Sequence, residues 1–164
     1  MLAKEGRVIL IPLFFITFVI GIIAHAWDST SLSILYGILG LFFLFSLNFF
    51  RDPRRVIPMD EKLIISPADG KVVKVEDTHD PDVDGSAKLV SIFLNVFNVH
   101  ANRVPIEGTV ESVERKSGKF LAAFDHKASD ENEQIVTVLS HDSGKYKIKQ
   151  IAGLIARRIL CYAE

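Results

Sequence analysis

A chain of 164 residues has room for about one ordinary domain, and a formal net charge of −1 leaves no electrostatic footprint for nucleic acid. The single cysteine, Cys161, excludes an internal disulfide. Hydrophobic residues make up 49% and charged residues 24%, and the two are segregated: of 19 basic and 20 acidic residues, only Lys4, Glu5, Arg7 and Asp28 precede Arg51.

The first fifty residues therefore read as a membrane hairpin, residues 1–50. Val8 to Trp27 and Ser31 to Phe50 are uncharged runs of twenty residues each. As helices rising 1.5 Å per residue they reach about 30 Å, the thickness of a hydrocarbon core. The link Asp28-Ser29-Thr30 is short and polar, which makes the two spans antiparallel neighbours. Trp27 and His25 fall near one interface, where amphipathic rings are favoured. Gly21, Gly37 and Gly40 are expected to let the helix backbones approach. A cleaved signal peptide has a shorter apolar region, and the second run directly after the first argues against one. The other alternative is a buried core hairpin of a soluble protein. Lys4 and Arg7 precede the first span, Arg51, Arg54 and Arg55 follow the second, and the loop carries only Asp28. The positive-inside rule then places both ends, and everything after Arg51, on the cytoplasmic side of the cell (inner) membrane, near anionic headgroups.

Pro53 breaks the second helix. Residues 51–164 read as a mainly β domain, a small sandwich or barrel of six or seven short strands. Candidate strands are Lys71 to Val75, Leu89 to Val96, Thr109 to Val113, Ile135 to Leu139 and Ile148 to Tyr162. Lys145 to Lys149 alternates as a strand with one wet face, although Ile151 to Cys161 has spacings a helix also uses. Asp69-Gly70, Asp84-Gly85 and Ser143-Gly144 mark turns.

Several local patterns imitate functional motifs. Asp80 to Gly85 resembles the start of a calcium loop, but the twelfth position is Ser91 rather than a bidentate Glu, so an acidic hairpin tip is the better account. His141-Asp142-Ser143 spells a hydrolase triad in consecutive letters, which a turn before Gly144 explains better. His79, His126 and His141 lack metal-ligand spacing and read as surface histidines; no metal is expected. Gly85-Ser86 lies in an acidic turn and is rejected as a self-cleavage site.

Two segments resist such readings. Ser66-Pro67-Ala68-Asp69-Gly70 leads into a strand. Phe93 to Pro105 embeds Asn95, Asn98, His100, Asn102 and Arg103 in an otherwise apolar run, where polar groups must find partners or be used. By its residues alone the first segment reads more readily as a turn, whereas in the second a structural role and a chemical one remain equally open.

In this order the two segments resemble the short, prokaryotic-type phosphatidylserine decarboxylases. The resemblance includes Asn98-Val99-His100-Ala101-Asn102-Arg103-Val104-Pro105, Gly118-Lys119-Phe120, Asn132-Glu133 and the stretch Gln150 to Ile159. The hydrophobic pair followed by Phe50-Arg51-Asp52-Pro53 also looks like this family, so it covers essentially the whole chain.

The resemblance implies a proenzyme that cuts itself at a Gly-Ser bond, the serine becoming a pyruvoyl group on a small α chain. The substrate amine forms a Schiff base with that ketone, which accepts the electron pair as carbon dioxide leaves, and phosphatidylethanolamine is released. Asp69 matches the acidic residue that assists self-cleavage by orienting a histidine base. His100 matches the histidine linked to decarboxylation, as proton donor. Longer members carry a second histidine where this chain has Arg103. His100 is expected to serve both steps, with Arg103, and Asn98 near it, as candidates for substrate binding. No residue here matches the reactive serine, so the chain reads as a large (β) subunit stopping short of it and inactive alone. Archaetidylserine is an alternative substrate, and a non-catalytic membrane-tethered β scaffold is the rival from another class.

Overall fold

Long uncharged runs satisfy their backbone polar groups only as helices when water is absent. In the computed structural model, which describes residues 1–58, 63–122 and 127–163, they form α1 (Arg7–Ala26) and α2 (Thr30–Phe49). Both are long and apolar enough to cross a membrane. The chain divides into two compact units, Met1–Lys71 with Leu94–Arg103, and Val72–Phe93 with Val104–Glu164.

In the first unit α1 packs against α2 through Leu10, Leu13, Thr17 and Ala24, residues three, four and seven apart on one face. Many of the other apolar side chains point outward, with Val8 79% and Leu41 71% exposed, the distribution a lipid-facing surface requires. Within that interface Thr17 and Ser46 return their hydroxyls to Leu13 O (2.7 Å) and Phe42 O (2.8 Å), so neither polar group is left unpaired. Gly21 allows close approach as expected: a Cβ there would lie 2.9 Å from the Tyr36 ring. Gly37 and Gly40 do not play that part, having nothing within 4 Å of a Cβ. Aromatic side chains take their place between the helices, Phe43 meeting Phe14 at 5.8 Å. The two open ends are joined by Ala3 N–H to Phe50 O (2.8 Å) and Asp52 N–H to Met1 O (2.7 Å).

In the second unit β1 (Lys71–Asp80) and β2 (Gly85–Phe93) form a two-stranded sheet. They are linked by a 3-10 turn, Pro81–Val83, whose first residues are capped by Asp80 Oδ1 accepting from Asp82 N–H (3.0 Å). Strands β3 (Thr109–Lys116), β4 (Gln134–His141) and β5 (Gly144–Ile151) make an antiparallel sheet in the order β3-β4-β5. The short helix α3 (Ala128–Glu131) precedes β4. Gly144, at φ 126°, closes the expected turn between β4 and β5. Central β4 is buried from Gln134 through Leu139, as its apolar run requires.

The domain is thus mainly β, as its sequence implies, with five strands among the described residues rather than six or seven. Two expected strands end early. The strand expected over Leu89 to Val96 stops at Phe93, because asparagine side chains then capture the backbone. The one expected over Ile148 to Tyr162 stops at Ile151. Beyond it Ala152 and Ile159 pack on Ile135, with Phe120 and Cys161 beside them, and the chain is neither strand nor helix.

Asn132 ties this region together. It is 1% exposed, accepts from Leu121 N–H (2.8 Å), and donates to Leu121 O (2.9 Å) and Ala152 O (2.8 Å). Gly118 lies so near that a Cβ would fall 2.4 Å from the Asn132 carbonyl carbon. Asn132→Ala strands three backbone groups and is expected to cost about 3 kcal/mol. Denaturant unfolding of the detergent-solubilised protein checks this, and a loss below about 0.5 kcal/mol would show that those groups find other partners.

Candidate functional site

Asn95 and Asn98 build the turn that presents His100. Asn95 Oδ1 accepts from Phe97 N–H (2.8 Å), Asn98 Oδ1 accepts from Asn95 N–H (2.8 Å), and Asn98 N–H donates to Asn95 O (3.0 Å). Short amide side chains compete in this way with the strand ladder and turn the chain. Val99 is buried at 2% exposure and anchors the turn from below.

His100 is half-buried. Its Nδ1 stands 3.1 Å from Asn98 O, so Nδ1 carries the proton in the neutral ring and Nε2 keeps a free lone pair. The imidazole lies 4.4 Å from the Phe49 ring, tilted by 31°. Burial lowers its pKa below the ordinary histidine value; the Asn98 carbonyl opposes that shift, and the positive charge of Arg51 adds to it. The result is an imidazole held neutral and oriented, with one nitrogen available for proton transfer.

Asp69 sits in the turn expected before β1, where Ser66 Oγ donates to Ala68 O (2.8 Å). Its carboxylate pairs with Arg55. The segment carrying His100 is joined to this turn by Arg103 N–H donating to Pro67 O (2.9 Å). Asp69, Asn98, His100 and Arg103 thus belong to one compact unit, the unit of the helical hairpin. Asp69 faces Arg55 and His100 faces Phe49 and Asn98, so each has a partner other than the one implied for self-cleavage. The Arg103 guanidinium is engaged by the Asp52 carboxylate and by Pro53 O (3.0 Å). Asn98 spends its side-chain oxygen on the turn, while its backbone oxygen orients His100.

Phe49 and Asp52 do not stand out as site residues in the sequence. The signal that could have found Asp52 is the Phe50-Arg51-Asp52-Pro53 stretch, charged residues placed immediately after an apolar span; Phe49, inside that span, carries none.

The imitated motifs have structural partners. Lys147 Nζ lies 2.7 Å from both Asp80 and Asp82. Its hydrogen bond holds the Asp80 carboxyl below the usual range, and burial of Lys147 is outweighed by the two carboxylates, which raise its own pKa. His141 Nδ1 is 2.7 Å from Ser143 Oγ, which also meets Tyr146 Oη at 2.7 Å, within the β4–β5 turn. His79 is exposed, and His126 lies outside the described residues. Among the described residues no group of three His, Cys, Asp or Glu is placed to hold a metal ion.

Comparison with known proteins sets this geometry in context. The sequence profile of the phosphatidylserine decarboxylase family matches residues 42–164. The chain is 43% identical over 167 residues to the phosphatidylserine decarboxylase proenzyme of Ralstonia nicotianae, covering 99% of this chain and 73% of that protein. It is also 43% identical to the proteins of the same name from Polynucleobacter asymbioticus, over 98% of this chain and 72% of that protein, and Burkholderia vietnamiensis, over 99% and 73%.

Proposed function

The chain belongs to the phosphatidylserine decarboxylase family, and on that premise we propose that it carries the proton-transfer half of a phospholipid decarboxylase site, with His100 as its central group. The family converts phosphatidylserine to phosphatidylethanolamine, and its relatives are named as proenzymes, that is, precursors of a processed enzyme. The observation that carries the assignment is the held imidazole: Nδ1 fixed on Asn98 O, one face on Phe49, and Nε2 left for chemistry. A scaffold has no need of a histidine held neutral in this way.

A pyruvoyl group on a separate small α chain, when present, supplies the carbonyl that takes up the substrate amine and the electron pair released as carbon dioxide departs. The donor set suits such a group, since a neutral imidazole able to pass a proton stands in the same unit as guanidinium groups able to hold an anionic lipid. We assign His100 and Asp69 to its surroundings. Nε2 of His100 first takes up a proton on its lone pair and then passes it to the carbon that has lost the carboxylate, and Asp69 assists maturation. At neutral pH the lowered pKa keeps most of the imidazole uncharged, so it is also competent as a base.

The hairpin anchors this unit in the membrane. Pairing of residues 1–3 with residues 50–52 brings both open ends of the hairpin together. With Lys4, Arg7, Arg51, Arg54 and Arg55 gathered at those ends, the cytoplasmic face of the inner membrane is the side we assign to them.

Mass spectrometry of the protein purified from its native membrane tests the maturation chemistry. The expected result is a separate small chain whose N-terminus is blocked by pyruvate. A protein that stays one uncut chain while decarboxylating at full rate would remove the cofactor from the mechanism.

A further inference from the structure

Arg51 is the second residue past α2, and its guanidinium is held differently from those of Arg55 and Arg103. Arg55 pairs with the Asp69 carboxylate and Arg103 with that of Asp52. Arg51 instead donates only to neutral oxygens: from Nη1 to Asn48 O (2.7 Å) and Asn48 Oδ1 (2.6 Å), and from Nη2 to Phe97 O (2.6 Å). Among the described residues no carboxylate lies within ion-pair distance of it. A guanidinium has five N–H donors, so Nε–H and one Nη2–H remain. Nε and Nη2 share one edge of the guanidinium, the edge that takes two oxygens of a phosphate or carboxylate side-on. The bonds to Asn48 and Phe97 fix the fork in advance, so little side-chain entropy is lost on binding. The charge of Arg51 is also felt at His100, which places the two groups in one electrostatic neighbourhood.

Depth identifies the anion. α2 has the length of a membrane span, so a residue just past its end stands at the level of lipid phosphates. The serine amine and carboxylate extend beyond that level. The carboxylate, moreover, is lost in the reaction, and a tight ion pair to it would stabilise the ground state more than the transition state. The phosphodiester passes through the reaction unchanged.

We propose that Arg51 is the recognition site for the phosphodiester of the lipid substrate, bound through its free Nε/Nη2 edge at the end of α2. This rests on the proposed function for the identity of the lipid, though not for the anion site itself. A contact made equally in the ground and transition states acts on KM and leaves kcat nearly unchanged. It also acts on the product, since phosphatidylethanolamine keeps the phosphodiester and lacks the carboxylate.

The test compares Arg51→Gln and Arg51→Lys with the wild type, as full-length protein in mixed micelles. Arg51→Gln is expected to raise KM for phosphatidylserine about 10- to 100-fold and to weaken inhibition by dihexanoyl phosphatidylethanolamine by the same factor. Arg51→Lys, keeping the charge without the fork, should recover part of both. A raised KM with unchanged phosphatidylethanolamine inhibition would overturn the proposal and assign the guanidinium to the carboxylate. A fall in kcat at unchanged KM would also overturn it, leaving Arg51 as a helix cap or as a charge acting on His100. Should Arg51→Gln fail to mature, equilibrium binding of dihexanoyl phosphatidylethanolamine to uncut Arg51→Gln and to Asp69→Asn, uncut with Arg51 intact, decides: weaker binding by Arg51→Gln supports the site, equal affinity overturns it. Failure of the decarboxylase reading would show separately, as no turnover of phosphatidylserine by the mature wild-type protein, whatever its affinity for dihexanoyl phosphatidylethanolamine.

Discussion

Replacement of His100 by alanine is expected to lower phosphatidylserine decarboxylation by the full-length protein by about 10²–10⁴-fold, the range typical of a lost general acid or base. Truncation removes Nε2, the only nitrogen of this ring not tied to Asn98 O, and leaves the surrounding turn intact because that turn is made by Asn95 and Asn98. Turnover is read alongside a gel for the uncut chain, since the same imidazole is assigned to both steps. Unchanged turnover would remove His100 from the mechanism. The pH dependence carries a second sign. Because burial lowers the folded-state pKa, the limb of the rate profile set by His100 should lie below the ordinary histidine value. Phe49→Ala rehydrates the imidazolium and should move that limb upward. The same shift acts on stability. The folded pKa lies below the unfolded one, so the unfolded chain binds the proton first. The stability contributed by neutral His100 is therefore present above the unfolded value and lost as pH falls through the lowered one.

The second large effect is expected at Asp69. Asp69→Asn should slow self-cleavage by about 10²–10⁴-fold, the scale seen when an orienting carboxylate is lost from a base. The protein would then accumulate as one uncut chain. The carboxylate is paired with Arg55, on side chains that are 39% and 45% exposed, so the ion pair itself contributes little to stability. That separates the two roles. Arg55→Gln should leave folding nearly unchanged and cleavage intact, since only the counterion is removed. If Asp69→Asn matures at the wild-type rate, or if both variants fail alike, Asp69 is a structural partner of Arg55 and nothing more.

The reach of the sequence differs between elements for identifiable reasons. The hairpin was legible to within a residue, α1 and α2 each starting and ending one position before the expected spans. Twenty uncharged residues have few other ways to satisfy their backbone. β3 and β4 were legible in their central residues, and β5 in its alternating stretch Lys145 to Lys149, though the run expected from Ile148 to Tyr162 stops at Ile151. The strand expected through Val96 was not, because Asn95 and Asn98 act through side-chain hydrogen bonds that hydrophobic patterning does not register. The glycines were a partial guide: small size permits close approach but does not say which face of a helix meets its neighbour, and Gly21 does while Gly37 and Gly40 do not.

For the candidate site, resemblance drew attention to Asp69 and His100, whereas their partners came only from the fold. Arg51 reaches Phe97 across 46 residues, and Arg103 reaches Asp52 across 51. Contacts between positions so far apart leave no periodicity or spacing to read. By itself the sequence determined that the chain begins with two membrane-length helices and continues as short strands, because those follow from local hydrophobic pattern and backbone satisfaction. Only the tertiary structure decided that the end of α2 stands beside His100, with Phe49 against the ring and Arg51 lending its charge. That neighbourhood is set by long-range packing and electrostatics, which depend on distance in space and not along the chain.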